Sequence, residues 1–222
     1  MRVLIVAKTH LSKAVCVGAL AVNGRFLRLL DEHGANSPVH TDYEVRQIWE
    51  IKCRKAYKLR PPHTEDVNVL HKELLGTLDS NRSMLDVLEK CKAKIWKGSP
   101  GVLFDGCLLW SEKGSGYLNG TCNLPQNSVG FWIPDKPLTK YNVYEKVRYR
   151  YPCETDKKSL PYVGFASPVD TIPAGTLLRV SLARWWDKEG EIEERCSLQL
   201  SGWFDLTEPD HQLNEVNEGI SF

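Results

Sequence analysis

A mostly β chain with a single helix, built as a sandwich or as small barrels, is what this sequence predicts, and three observations predict it. Short apolar segments of alternating or β-branched residues recur at roughly 8–12-residue spacing. Gly, Pro, Asn and Asp punctuate them, and only one stretch changes to helical period. At 222 residues, 42% of them hydrophobic, the chain can bury the core of one large domain or of two small ones.

The elements follow in order. RVLIVAK, from Arg2, is a β-branched run typical of a buried strand. In CVGALAVNGRFLRLL, Cys16 to Leu30, two apolar segments flank Asn23-Gly24, a pair that tolerates the positive φ of a type I′ turn and so marks a hairpin. DEHGANSP is a loop. From Val45 to Cys53 apolar residues at Val45, Trp49, Ile51 and Cys53 alternate with Arg46, Glu50 and Lys52, as in a half-buried strand. RPPHTEDVNVL reads as a proline-bounded turn and a short strand. Between Asn81 and Gly98 the residues Met84, Val87, Leu88, Cys91 and Ile95 fall at helical spacing, with Asn81 or Ser83 as N-cap and Gly98 at the C-terminus. Afterwards VLFDGCLLW, GYLNGTCNL, VGFWI, YEKVRYRY, PYVGFASP, GTLLRVSLARWW and ERCSLQLSGWF read as strands. PQNS separates two strand-rich halves, predicting domains over 1–125, with the helix inserted near 82–97, and 126–207. Residues 208–222 form a tail expected to be flexible or to dock on a partner.

Lys and Arg number 29 against 28 Asp and Glu, so overall charge selects no partner. The tail, however, holds Glu208, Asp210, Glu215 and Glu218 and no Lys or Arg, which leaves residues 1–207 at +5. Seven cysteines without a Cys-x-x-Cys pair argue against a disulfide framework or zinc ribbon. The apolar run Val3 to Ala7 is too short for a signal peptide or membrane span, so the expectation is a cytoplasmic protein without membrane contact.

The segment Leu178–Phe204 reads as a hairpin. Pairing Leu182 with Cys196 and Val180 with Leu198 gives a core face of Leu178, Val180, Leu182, Trp186, Cys196, Leu198, Leu200 and Phe204, and sets Arg184 opposite Glu194. The other face carries Arg179, Ser181, Trp185, Arg195, Ser197, Gln199, Ser201 and Trp203. Guanidinium groups, hydroxyls, an amide and two indoles are the inventory that holds single-stranded nucleic acid, bases stacking on aromatics and cations meeting phosphates. Burial of both indoles under a neighbouring domain or loop is the structural alternative. A second basic region, Lys140 to Lys158, has six Lys or Arg, three acids and four tyrosines. In VRYRY, Arg148 and Arg150 share one strand face and Tyr149 and Tyr151 the other, so one face can track phosphates while the other packs or stacks on bases. A solvated edge strand accounts for the same charges.

For catalysis, His63, Glu65 and Asp66 in PPHTED are the best acid-base or metal-ligating trio, but their spacing matches no ligand pattern. EKGSGYLNG lacks the Gly-Lys-Ser/Thr ending of a phosphate-binding loop. No catalytic residue, metal or cofactor is therefore expected, and a metal-dependent hydrolase is the minor alternative.

Taken together, VLIVAKTHL, VCVGAL with FLRLL, QIWEI with PPHTEDV, LPYVGF, IPAGTLLRVSLARWW and RCSLQLSGWF resemble a prokaryotic family of dual OB-domain proteins. That resemblance implies two oligonucleotide/oligosaccharide-binding barrels in tandem, and an accessory role in bacterial conflict or antiviral defence loci beside a helicase or nuclease. The expected function is non-catalytic binding of DNA or RNA through Arg179, Trp185, Arg195, Gln199 and Trp203, extended by Arg148 and Arg150. Its alternative is a protein-interaction subunit whose aromatic face docks on protein, since Trp and Arg are also the residues of interface hot spots.

Overall fold

The computed structural model describes residues 1–11, 13–153, 157–187 and 193–206, without the side chains of residues 81 and 82. The expected tail, 208–222, lies outside the described residues, as does most of the 187–191 hairpin loop. The described chain divides into two compact units, one comprising Met1–Leu59, Glu65–Lys94 and residues 204–206, the other Arg60–Thr64 and Ile95–Trp203.

In the first unit, strands β1 (Arg2–Leu11), β2 (Ala14–Ala21), β3 (Phe26–Leu30), the short β4 (Ser37–Pro38), β5 (Gln47–Lys55) and β6 (Asp66–Thr77) form one sheet ordered β1-β5-β6-β3-β2-β4. The additional β1–β2 pairing closes five of these strands into a barrel. All pairings of the ring are antiparallel except β3 with β6, which is parallel. Register shifts at Ile5/Ala7 in β1 and at two points of the β5–β6 ladder supply the bulges that let a sheet curl on itself. Val3, Ile5, Val17, Ala19, Leu27, Leu29, Trp49, Ile51 and Val67 fill the interior, the period-2 set expected of inward-facing strand positions.

The hairpin at Asn23-Gly24 forms, with a different turn. Ala21 and Arg25 bond across it, Gly24 N–H donates to the Ala21 carbonyl, and of the loop residues only Gly24 has positive φ, at 79°. That is a three-residue loop with glycine in the left-handed position rather than a type I′ turn. Helix α1 (Asn81–Lys90) explains why nothing larger fits: a Cβ on Gly24 would lie 2.3 Å from the Cys91 carbonyl oxygen. The N-cap is Ser80, ahead of both expected caps, Asn81 and Ser83, with Ser80 Oγ accepting from Ser83 N–H, and the helix stops at Cys91, followed by Lys92 with φ 53°. Met84, Val87 and Leu88 bury its apolar stripe.

Ile95 therefore lies beyond the helix. It opens β7 (Ile95–Gly98), which pairs in parallel with β10 (Val129–Pro134) of the second unit, Trp96 opposite Trp132. This moves the division between units to Lys94/Ile95, ahead of the 125/126 boundary expected from PQNS. The strand expected over VLFDG is instead a 3₁₀ segment, Pro100–Gly106, in which Phe104 and Asp105 take left-handed φ values of 50° and 57° and Asp105 accepts from the Trp96 indole.

Beyond it lie β8 (Leu109–Trp110), β9 (Gly116–Asn119), β11 (Leu138–Val143), β12 (Lys146–Tyr151), β13 (Lys158–Pro161), β14 (Thr171–Ile172), β15 (Leu177–Leu182) and β16 (Arg195–Phe204). Two sheets result, β7-β10-β15-β16-β9-β8 and β13-β12-β11-β14. Residues 129–143, through β10 and then β11, bridge them: β10 pairs β15 and β11 pairs β12. A parallel bridge, Tyr162 with Leu200, joins the end of β13 to β16. The cycle is thus β10/β11, β12, β13, β16, β15, the same order as in the first barrel, with β13 and β16 parallel as β3 and β6 are, but only half closed. Both units have the arrangement of a five-stranded Greek-key OB barrel, as expected. No helix among the described residues is long and apolar enough to cross a membrane.

Candidate nucleic-acid interface

The β15–β16 hairpin keeps most of its expected core face. Leu178, Val180, Leu182, Cys196, Leu198 and Leu200 all lie in the second core. The register differs, with Ala183 N–H bonded to the Ser197 carbonyl and Trp186 bridged to Arg195. Strand β15 ends at Leu182, so face alternation stops before the tryptophans. Trp186, expected in the core, is 62% exposed.

The opposite face is largely occupied by protein. Arg179 is 2% exposed, donates from Nη1 to the carbonyls of Gly130 (3.0 Å) and Val180 (2.9 Å), and lies over the Phe131 ring. Phosphate cannot reach it there, which corrects its expected role. Trp185 donates its indole N–H to the Pro61 carbonyl at 2.7 Å, and the Arg60 guanidinium covers its ring at 4.6 Å. Arg60 is in turn bidentate to Glu194, both bonds 2.6 Å, and this hydrogen-bonded cation holds the Glu194 carboxyl below its ordinary range. Glu194, expected opposite Arg184, is thus held by Arg60. Trp203 is half-buried against Tyr149 and Tyr162, at 5.8 and 5.0 Å between ring centres. Arg195 lies over Tyr117 at 4.1 Å, and Gln199 is half-buried. Two indoles expected as base platforms therefore spend much of their surface on a loop and on the core.

The second basic region is arranged differently. Along β12, Tyr149 and Tyr151 turn into the core, at 0% and 3% exposure, while Lys146, Arg148 and Arg150 share the outer face. Burial and the hydrogen bond to Asp135 push the Tyr151 phenol up to about 12. On the outer face three hydroxyls hold the Arg148 guanidinium: Nε donates to Tyr141 Oη at 3.1 Å, and Nη2 to Ser115 Oγ at 2.8 Å and Ser159 Oγ at 2.9 Å. Arg150 lies over the Tyr141 ring at 4.5 Å. Burial raises the Tyr141 phenol, but the hydrogen bonds with Ser159 and Arg148 and the charges of both arginines outweigh it, so the group is more acidic than usual. Among the described residues no salt bridge engages Lys146, Arg148 or Arg150, and the contacts of the two arginines are with hydroxyls and an aromatic ring.

The loop joining β11 to β12 adds what the sequence did not single out. Val143 pairs with Lys146, leaving Tyr144 and Glu145 as a two-residue turn. Tyr144 there is 97% exposed with φ 54°. Val143, Tyr144, Glu145, Lys146 and Arg148 line an open depression of about 570 Å³. The signal was present in YNVYEKV, where a tyrosine interrupts two alternating runs without a partner position on either.

The trio in PPHTED is committed elsewhere. Asp66 forms a bidentate pair with Arg28 at 2.8 and 2.9 Å, across the parallel β3–β6 register, and the His63 ring bonds the Leu182 carbonyl at 3.2 Å. Among the described residues no three His, Cys, Asp or Glu side chains gather as a metal site.

A family model described as "Dual OB-containing domain" matches residues 1–203. No curated protein matches the chain. A solved structure of a murine DNA-binding protein bound with double-stranded DNA aligns over 92% of this chain and 95% of that chain, at 8% identity and a TM-score of 0.31, a likeness too low to carry an argument.

Proposed function

The chain belongs to the dual OB-containing domain family, and on that premise we propose that it is a non-catalytic nucleic-acid-binding protein that holds its ligand on the outer face of the second barrel. OB barrels receive oligonucleotides and oligosaccharides on the face of their second and third strands and on the adjoining loops. In the second barrel those strands are β12 and β13. The observation that carries the reading is the row Lys146, Arg148 and Arg150 on that face, without a salt bridge among the described residues. Such a row suits a polyphosphate backbone, whose binding draws on the release of condensed counterions. An oligosaccharide ligand would gain little from three cations. An accessory, cytoplasmic role beside a helicase or nuclease in antiviral defence belongs to the same proposal and rests on the family resemblance.

Titration of labelled single-stranded DNA, single-stranded RNA and duplex in low and moderate salt tests this. Affinity is expected to fall as salt rises, and Lys146→Ala and Arg150→Ala each to flatten the log–log salt slope by about 1. No binding to any of the three at low salt, or unaltered slopes in both variants, would overturn it. Protein docking remains the second reading because Trp186 is 62% exposed, and exposed tryptophan is typical of interface hot spots. Co-purification of a partner that survives nuclease treatment but is lost in Trp186→Ala would favour it.

A further inference from the structure

We propose that Tyr144 and the depression beside it form a base-holding subsite, so that the second barrel takes a nucleic-acid strand with at least one unpaired base. The inference rests on the functional reading above and sharpens it to a residue and a ligand form. Tyr144 is 97% exposed, so its ring contributes nothing to the core, and its φ of 54° belongs to the region that favours glycine. An aromatic ring displayed to water from a backbone conformation that disfavours it is a local cost without a packing return, and such costs gather at ligand-binding positions. The ring adjoins the depression of about 570 Å³, room enough for a nucleobase and its sugar.

The chemistry around it is ordered along the strand. Lys146 and Arg148 line the same depression, and Arg150 continues the outer face of β12 beyond it. Consecutive same-face residues of a strand lie about 6.5–7 Å apart, similar to the phosphate spacing of an extended single strand. A strand running along β12 would place phosphates on Lys146, Arg148 and Arg150 and turn a base onto Tyr144. Glu145, the acid in the lining, works against a phosphate at the loop tip itself and leaves that end to the uncharged base. A paired base in a duplex keeps its faces stacked on its neighbours and cannot present one to the ring, whereas every unpaired base has a free π-face.

The test separates base from phosphate. Three labelled ligands are compared by fluorescence anisotropy: a single-stranded oligonucleotide, the same oligonucleotide with abasic sites throughout, and its duplex. Wild-type protein is expected to bind the base-bearing strand roughly 5- to 150-fold more tightly than the abasic one, the range of one stacked base. Tyr144→Ala is expected to bring that ratio close to one and leave the salt slope unchanged, while Tyr144→Phe retains it. Circular dichroism checks that both variants stay folded. An equal ratio in wild type and Tyr144→Ala, or a preference for duplex over single strand, overturns the subsite but leaves the cationic face standing. Absence of binding to all three ligands overturns both.

Discussion

Arg179 and Arg150 are the same residue type on neighbouring sheets with opposite fates. Arg179 sits on β15 opposite Phe131, so its guanidinium is enclosed and donates to two backbone carbonyls. Arg150 rests on an aromatic face and keeps its edges toward solvent. Their substitutions should separate stability from binding. Arg179→Ala opens a cavity and leaves the Gly130 and Val180 carbonyls without this donor, which should cost about 2–4 kcal/mol. For a chain of this size that lowers Tm by about 4–16 °C. Arg150→Ala should change stability by no more than about 0.5 kcal/mol while weakening nucleic-acid binding. Thermal melts paired with salt titrations measure both. A stable Arg179→Ala protein with impaired binding would return Arg179 to the site.

At the scale of the element, alternation was readable wherever strands ran unbroken. The inward Tyr149 and Tyr151, the outward Arg148 and Arg150, and the core set from Leu178 to Leu200 all follow from period two. It failed where an element ended for tertiary reasons. Ile95 continues the helical spacing of Met84 and Leu88, but the parallel pairing with β10 claims it as strand. Trp185 and Trp186 continue the numbering of β15, but the strand stops at Leu182 and a loop from far earlier in the chain, Arg60–Thr64, takes up the Trp185 indole. No local pattern reports a partner 124 residues away. The Arg60–Trp185–Glu194 group therefore reads as architecture, and Trp185→Phe tests it. That change removes the bond to the Pro61 carbonyl but keeps a ring beneath Arg60, so it should cost about 1 kcal/mol and lower Tm by about 2–4 °C. Nucleic-acid affinity and its salt slope should stay as in wild type. A stable variant with weakened binding would make Trp185 a contact residue after all.

Across the whole molecule one cyclic strand order is used twice, yet the second strand of the second barrel carries a cationic row, Lys146, Arg148 and Arg150, without a salt bridge among the described residues. The corresponding strand of the first barrel, AVCVGALA, has no charge at all. The two barrels nevertheless share a design cost that makes stability depend on alkaline pH. In the first, burial chiefly, with the Asp42 charge, pushes the Tyr43 phenol from 10.0 up to about 12. In the second, Tyr151 is raised from 10.0 to about 12 and the Cys196 thiol, mainly by burial, from 9.0 to about 12. Each group is neutral when protonated, and the folded state holds its proton more tightly than the unfolded chain does. Once pH passes the unfolded values, near 9 for the thiol and 10 for the phenols, the unfolded chain loses protons that the folded protein retains. Stability must then fall until the folded values near 12 are reached. Below about pH 9 these groups add no slope. Urea midpoints are therefore expected to be flat from about pH 7 to 9 and to decline from about 9.5 to 11.5. Lysine titration overlaps this window, so the variants carry the assignment. Tyr43→Phe and Tyr151→Phe should each make the decline shallower, whatever they do to the midpoint at neutral pH. A decline equally steep in both variants and in wild type would show that the buried phenols do not control it.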